Sequence, residues 1–144
     1  MKPTDYEKTA KKKSEHVLKD LRGFGSCLYD QMEEGKFPWV EMPSRSTENI
    51  YYSPDVRQYI LGERSVKRNA RNIRHIKPFT QMVWAGFFAS ELVKNRKTST
   101  LRDVYYSAQA YEMTFKDQQE SNNILTDLET TTGFAREDFN VFPE

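Results

Sequence analysis

The chain has 144 residues, room for one domain of ordinary size or a small domain with an arm. A hydrophobic fraction of 37% with 13% aromatics suffices for a core, and 30% charged residues describe a polar surface. Nothing approaches the roughly 18 apolar residues of a membrane span, and Cys27, the one cysteine, excludes an internal disulfide and fits a reducing cytoplasm.

The opening stretch MKPTDYEKTAKKK has no apolar h-region, so no signal peptide is expected. Residues 4–34 read as a helix with interruptions. Leu18, Leu21, Leu28 and Met32 fall at roughly helical spacing and give one apolar stripe that needs a partner to bury it. Gly23 and Gly25 each cost about 1 kcal/mol in a helix interior, which predicts a break there. From Phe37 to Leu61 the pattern becomes strand-like, with FPWVEM, NIYY and VRQYIL separated by PSRST and SPD. The Ser53-Pro54-Asp55 turn predicts a hairpin. Its aromatics, with Trp39, Tyr51, Tyr52 and Tyr59 foremost, are read as covering a small sheet, with base stacking as the other use.

Gly62 to Arg74 is basic and poorly periodic, and is read as a connector and a domain boundary. A helix is predicted from Lys77 to about Asn95, with Pro78 in its first turn and Phe79, Met82, Val83, Phe87 and Val93 on one face. Thr98 or Ser99 then caps a second helix that buries Leu101, Val104, Tyr105 and Ala108. A turn over Glu112–Asp117 leads to a third, about Gln118 to Thr130, with Ile124, Leu125 and Leu128 inward and Gly133 at its end. Three helices so spaced predict the core of a winged-helix domain, with FNVFPE as a first wing strand. No second wing strand follows, so FNVFPE is expected to be an unpaired edge. The fold expected is α+β and mainly helical: an arm at 1–36, a small β region and basic connector at 37–74, and an incomplete winged helix at 75–144.

The segment TSTLRDVYY carries the chemistry. On a helix, Arg102 and Tyr106 lie one turn apart on the same face, and Tyr105 points about 100° away. A phenol can be a covalent nucleophile, and a guanidinium can hold phosphoryl oxygens as charge builds on phosphorus. A buried Tyr beside a surface Arg is the ordinary alternative for any RxxxY. The basic residues are concentrated just before this motif. Arg64, Lys67, Arg68, Arg71 and Arg74 are candidate phosphate contacts, joined by Lys97 near the motif. Gln118 and Asn122 are amides on the amino-terminal half of the third helix, where a recognition helix meets base edges or phosphates. His16 and His75 stand too isolated to form a metal site.

Three collinear blocks, KFPWVEMPSRSTENIYY, YILGERSVKRNARNIRHIKPFTQMVWAGFFASELV and KTSTLRDVYYSAQAYEMTFKDQQESNNILTDLE, closely resemble the amino-terminal part of the A subunit of archaeal DNA topoisomerase VI, a relative of the meiotic double-strand-break transesterase. The resemblance implies that Tyr106 is the DNA-cleaving nucleophile and that Arg102 stabilises the transition state, giving a covalent 5′-phosphotyrosyl end. It further implies a magnesium-binding Toprim domain beyond this chain, an ATP-binding B subunit, an A2B2 assembly built on a homodimer of A subunits, and supercoil relaxation on double-stranded DNA. Read from its residues, the chain could instead be a winged-helix DNA-binding module or a docking adaptor for another subunit, without chemistry of its own.

Overall fold

The computed structural model describes residues 2–143, so the final Glu144 of FNVFPE lies outside the described residues. Helix α1 runs from Asp5 to Glu33. It begins in a reciprocal cap: Glu7 N donates to Thr4 Oγ1 at 3.3 Å and Thr4 N donates to Glu7 Oε2 at 2.7 Å. Val17, Leu21 and Leu28 are its buried residues, one stripe against the body. The expected break does not occur. Gly23 and Gly25 lie within the continuous helix, and a Cβ at either would meet nothing within 4 Å. They carry the entropic penalty of glycine without interrupting a helix whose flanking turns are anchored by packing. The stripe is also offset from its expected place, because Val17 is fully buried and Met32 is half exposed.

Strand β1, Trp39–Pro43, alternates as a half-buried strand should, with Val40 and Met42 inward and Glu41 outward. The expected hairpin is present: β2, Ile50–Ser53, pairs antiparallel with β3, Gln58–Leu61. The basic stretch after it contains a strand that the sequence pattern did not announce. Strand β4, Ser65–Asn69, pairs antiparallel with β1 in the register Trp39↔Asn69 to Pro43↔Ser65, so the β2–β3 hairpin is inserted into a second, outer ribbon. Buried Asn49 joins the two ribbons. Its Nδ2 donates to Ser44 O at 2.7 Å and Arg64 O at 3.1 Å, and its Oδ1 accepts from Arg64 N at 3.0 Å. Gly62 is required beside it, since a Cβ there would sit 2.6 Å from Asn49 Oδ1.

Helix α2, Ile76–Lys94, is central and packs against α1 on one side and α4 on another. That position explains why burial extends to Trp84, Ala85, Ala89 and Leu92, while Val83 and Phe87, expected inside, are 37% and 46% exposed. Strand β5, Ser99–Thr100, leads into α3, Leu101–Ala110, and α4 covers Gln118–Thr132. Gly133 takes the left-handed conformation at φ 78° and its N–H closes on Glu129 O at 2.8 Å, the predicted helix stop. Strand β6, Val141–Phe142, pairs in parallel with β5, and Ser99 N donates to Asn140 O at 2.9 Å. This corrects the expectation of an unpaired FNVFPE edge: its partner lies before α3, not after β6. Val17 and Leu21 of α1, Val40 and Met42 of β1 and the apolar faces of α2, α3 and α4 belong to one core cluster.

The hairpin tyrosines stay outside that cluster. Tyr51, Tyr52 and Tyr59 are 53%, 51% and 75% exposed, with Tyr52 and Tyr59 in edge contact across the strands at 5.5 Å. Reading them as a sheet's cover is therefore wrong for these three. It holds better for Trp39, which is half-buried with Lys67 Nζ 4.7 Å over its ring.

One buried charge ties the outer ribbon to the helices. Asp127 of α4, 4% exposed, accepts from Arg68 Nη1 of β4 at 2.9 Å and from Arg45 Nη2 at 2.5 Å. Asp127→Asn should lower stability by about 2–3 kcal/mol, at or below the low end for a broken buried pair because both arginines keep some water. Chemical denaturation of the variant checks this. Gly23→Ala and Gly25→Ala should each raise stability by about 0.5–1 kcal/mol, read as a higher midpoint in the same measurement.

Candidate functional site

Thr100 is the N-cap of α3, its side chain accepting from Asp103 N at 3.1 Å. The cap falls one residue after the expected pair. Helical geometry then divides the neighbouring tyrosines. Val104 and Ala108 are buried, with Leu101 and Tyr105 partly buried against the core, so this face holds α3 to the body. Arg102 and Tyr106 lie on the exposed part of the helix, Tyr106 at 53% exposure. The two tyrosine rings meet edge-on with centroids 5.2 Å apart, so the anchored ring of Tyr105 flanks the solvent-facing one.

The start of α3 has features that attract an anion beside the exposed carboxylate of Asp103. Its first-turn N–H groups and the positive end of its dipole are at the Arg102 end, and exposed Lys97 lies five residues earlier. Lys97 is placed by a tight helix stop: its N–H donates to Leu92 O at 2.9 Å, and Arg96 takes φ 54°. A phenol beside a guanidinium at this end of a helix can meet a phosphodiester, with the arginine on the phosphoryl oxygens and the phenolic oxygen toward phosphorus.

The other expected residues are distributed by the folding of β4 and the turn after it. Arg64 is exposed and pairs with Glu48 at 2.9 Å. Lys67 lies over Trp39, and Arg68, one position on and on the opposite face, is turned to Asp127. Arg71 and Arg74 stand exposed on the turn between β4 and α2, with no ion-pair partner among the described residues. Just beyond, Lys77 Nζ in the first turn of α2 reaches Glu120 Oε1 in the first turn of α4 at 3.7 Å. Gln118 is exposed there and Asn122 is half-buried. The structure thus leaves Arg71 and Arg74 on the turn that leads into α2, whose first turn meets the start of α4, and keeps Arg64, Lys67 and Arg68 on the ribbon side.

Sequence reasoning missed Arg45 and Asp127. A usable signal was present, since Asp127 falls among the apolar positions Ile124, Leu125 and Leu128, and a carboxylate there requires a buried partner. Together Arg45, Arg68 and Asp127 border a polar cavity of about 440 Å³ between the outer ribbon and α4. His75 and His16 have structural partners: His75 Nδ1 accepts from Asn69 N at 3.5 Å, and His16 meets Phe134 edge-on at 5.4 Å. No three His, Cys, Asp or Glu side chains gather to hold a metal among the described residues, and no helix there is long and apolar enough to cross a membrane.

Comparison with known proteins adds independent information. Residues 77–141 match the family model described as type IIB DNA topoisomerase. The chain is 40% identical over 130 residues to the A subunit of type 2 DNA topoisomerase 6 from Methanothermobacter thermautotrophicus, covering 90% of this chain and 37% of that one. It is 33% identical over 122 residues to the corresponding protein of Natronomonas pharaonis, covering 83% and 33%, and 32% identical over 130 residues to that of Pyrococcus abyssi, covering 87% and 34%. The chain therefore spans about a third of the length of the curated relatives it matches. The chain is thus similar to the A subunits of topoisomerase 6 over most of its own length, and to the type IIB DNA topoisomerase family model over residues 77–141.

Proposed function

We propose that the chain is the nucleophile-bearing part of a DNA-cleaving topoisomerase A subunit. The observation that carries this reading is the division of labour on α3, where Tyr105 is turned to the core and Tyr106 outward on the face of Arg102. In the reaction, the Tyr106 phenolic oxygen gives up its proton and attacks the scissile phosphorus. A phosphotyrosyl bond forms to the 5′ end as the bond to the 3′ oxygen breaks, and that oxygen leaves as a hydroxyl after taking a proton. One phosphodiester replaces another, so the step reverses without hydrolysis. Arg102 balances the charge that accumulates on the non-bridging oxygens.

In this reading α2, α3 and α4 form a winged-helix unit, supported by their common core and by the β5–β6 pair that ties the start of α3 to the segment after α4. Arg71, Arg74, Lys97, Gln118 and Asn122 face duplex DNA, with Arg64 and Lys67 as outlying contacts. Arg68 serves by holding α4 through Asp127. The described residues do not fit a Mg²⁺ site by themselves. We assign that ion to residues elsewhere in the complete protein. ATP belongs, on the same reading, to a B-type subunit of an A2B2 complex, which relaxes supercoils. The 144-residue chain on its own then binds duplex DNA weakly without cutting it.

Two measurements test this. In a complete protein carrying this segment, Tyr106→Phe should abolish covalent capture of cleaved plasmid, by at least about a thousandfold if chemistry is limiting, with duplex binding unchanged. Tyr105→Phe should retain cleavage, and an exchange of the two phenotypes would sink the assignment. Replacing Arg71 and Arg74 with Gln should reduce the slope of log affinity against log salt by about 0.9 for each lost phosphate contact. An unchanged slope would make that turn an ordinary solvated surface.

A further inference from the structure

The turn that carries Arg71 and Arg74 also displays an unusual side chain. Ile73 is 87% exposed, the most exposed large apolar residue of the described chain, and Ile76 at the start of α2 is 49% exposed. An apolar side chain fully in water at the tip of a turn is not explained by the core, which on α2 begins at Phe79. Nor is the turn loose. Arg71 N donates to Asn69 Oδ1 at 2.9 Å and Arg74 N donates to Asn72 Oδ1 at 3.0 Å. Asn72 N donates to Asn69 O at 3.0 Å, and Asn72 O accepts from His75 N at 2.9 Å and Ile76 N at 3.1 Å. Two asparagines thus fix the backbone on either side of Ile73, and its β-branch restricts χ1. A stiff apolar side chain is held out from a fixed turn between two arginines.

We propose that Ile73 is a wedge that inserts between base pairs of duplex DNA, with Arg71 and Arg74 seated on the flanking phosphates. Charge complementarity selects the occupant. Two exposed guanidiniums without an ion-pair partner among the described residues flank the isoleucine, and so concentrated a positive charge suits a polyanion. A wedge into a base step does need cations, to hold the backbone on either side. Position agrees, since the turn leads directly into α2, whose Lys77 reaches Glu120 in the first turn of α4, beside Gln118. Insertion of such a side chain partly unstacks one step and kinks the duplex, and it favours pyrimidine–purine steps, which unstack most easily. The chain would thereby select deformable steps without hydrogen-bonding their base edges. This inference rests on the reading of the chain as a duplex-DNA binder and adds to it the means by which it bends its substrate.

The test uses the 144-residue chain, duplexes labelled at both ends for energy transfer, and a central TA step or an A-tract. Wild type should bring the duplex ends closer on binding and prefer the TA duplex. Ile73→Ala should bind the TA duplex about tenfold more weakly and leave it straight. Its salt slope should be unchanged because the phosphate contacts remain, and so should its thermal stability because the side chain supports no packing. Ile73→Leu should restore the bend. If Ile73→Ala binds and bends the TA duplex as wild type does, the wedge is refuted while the DNA-binding reading stands. If wild type binds no duplex at all, that reading fails and the wedge falls with it.

Discussion

The carboxylate of Asp127 is the point on which the arrangement of the molecule turns. It sits on the inner face of α4 between Ile124 and Leu128 and receives guanidiniums from Arg68 of β4 and from Arg45, two residues past the end of β1. A lone carboxylate at that depth would destabilise α4 severely. With Arg45 and Arg68 in place it becomes a directional link, since each oxygen takes one arginine. Burial of Val40 and Met42 already opposes a one-residue slip of the ribbon, which would turn both outward. The hydrogen-bonded charges add to that constraint, because the same slip would turn Arg68 to solvent and Lys67 inward. The ribbon, and through Asn49 the inserted hairpin, is thereby registered against the helix that carries Gln118 and Asn122.

The same link explains what was and was not legible in the sequence. Helices α2, α3 and α4, the hairpin and the Gly133 stop are read from periodicity and turn residues, because their faces are apolar and their signals local. Strand β4 is hidden because Ser65-Val66-Lys67-Arg68-Asn69 lacks an apolar alternation. Its two faces are satisfied by charge, Lys67 on the ring of Trp39 and Arg68 on Asp127, and neither partner is near in sequence. Pairing of β6 with β5 is hidden for the same reason of distance: two residues on each side are too short for a propensity signal. Gly23 and Gly25 misled in the opposite direction. Local propensity predicts a break, but buried contacts at Leu21 and Leu28 on either side outweigh two exposed glycines.

For the candidate site, the placing of Arg102 and Tyr106 one turn apart on α3 is legible because it depends only on helical phase, and both positions are exposed. The basic run was legible as charge but not as function. Folding sorts it into residues consumed by the structure and residues left at the surface, a distinction that net charge or spacing does not contain. Arg64, Lys67 and Arg68 each have a neighbour to satisfy them, whereas Arg71 and Arg74 have no ion-pair partner among the described residues. On the proposed reading it is chiefly the second group that meets phosphate, with Arg64 and Lys67 outlying, because a guanidinium already paired must first give up its partner.

The adjacency of Tyr105 and Tyr106 has a consequence for any chemistry at this position. A nucleophile must be exposed to its substrate, yet held to within fractions of an ångström to be effective. An exposed side chain on a helix of only ten residues would ordinarily be poorly held. Here the helix is fixed at its start by the Thr100 cap and by β5, which is bound to β6. It is fixed along its length by Val104 and Ala108 in the core. Tyr105 then supplies a partly buried ring whose edge contact limits the directions open to the ring of Tyr106. On the proposed reading, the tyrosine that helical phase turns toward the core is thus also one that restrains the proposed nucleophile.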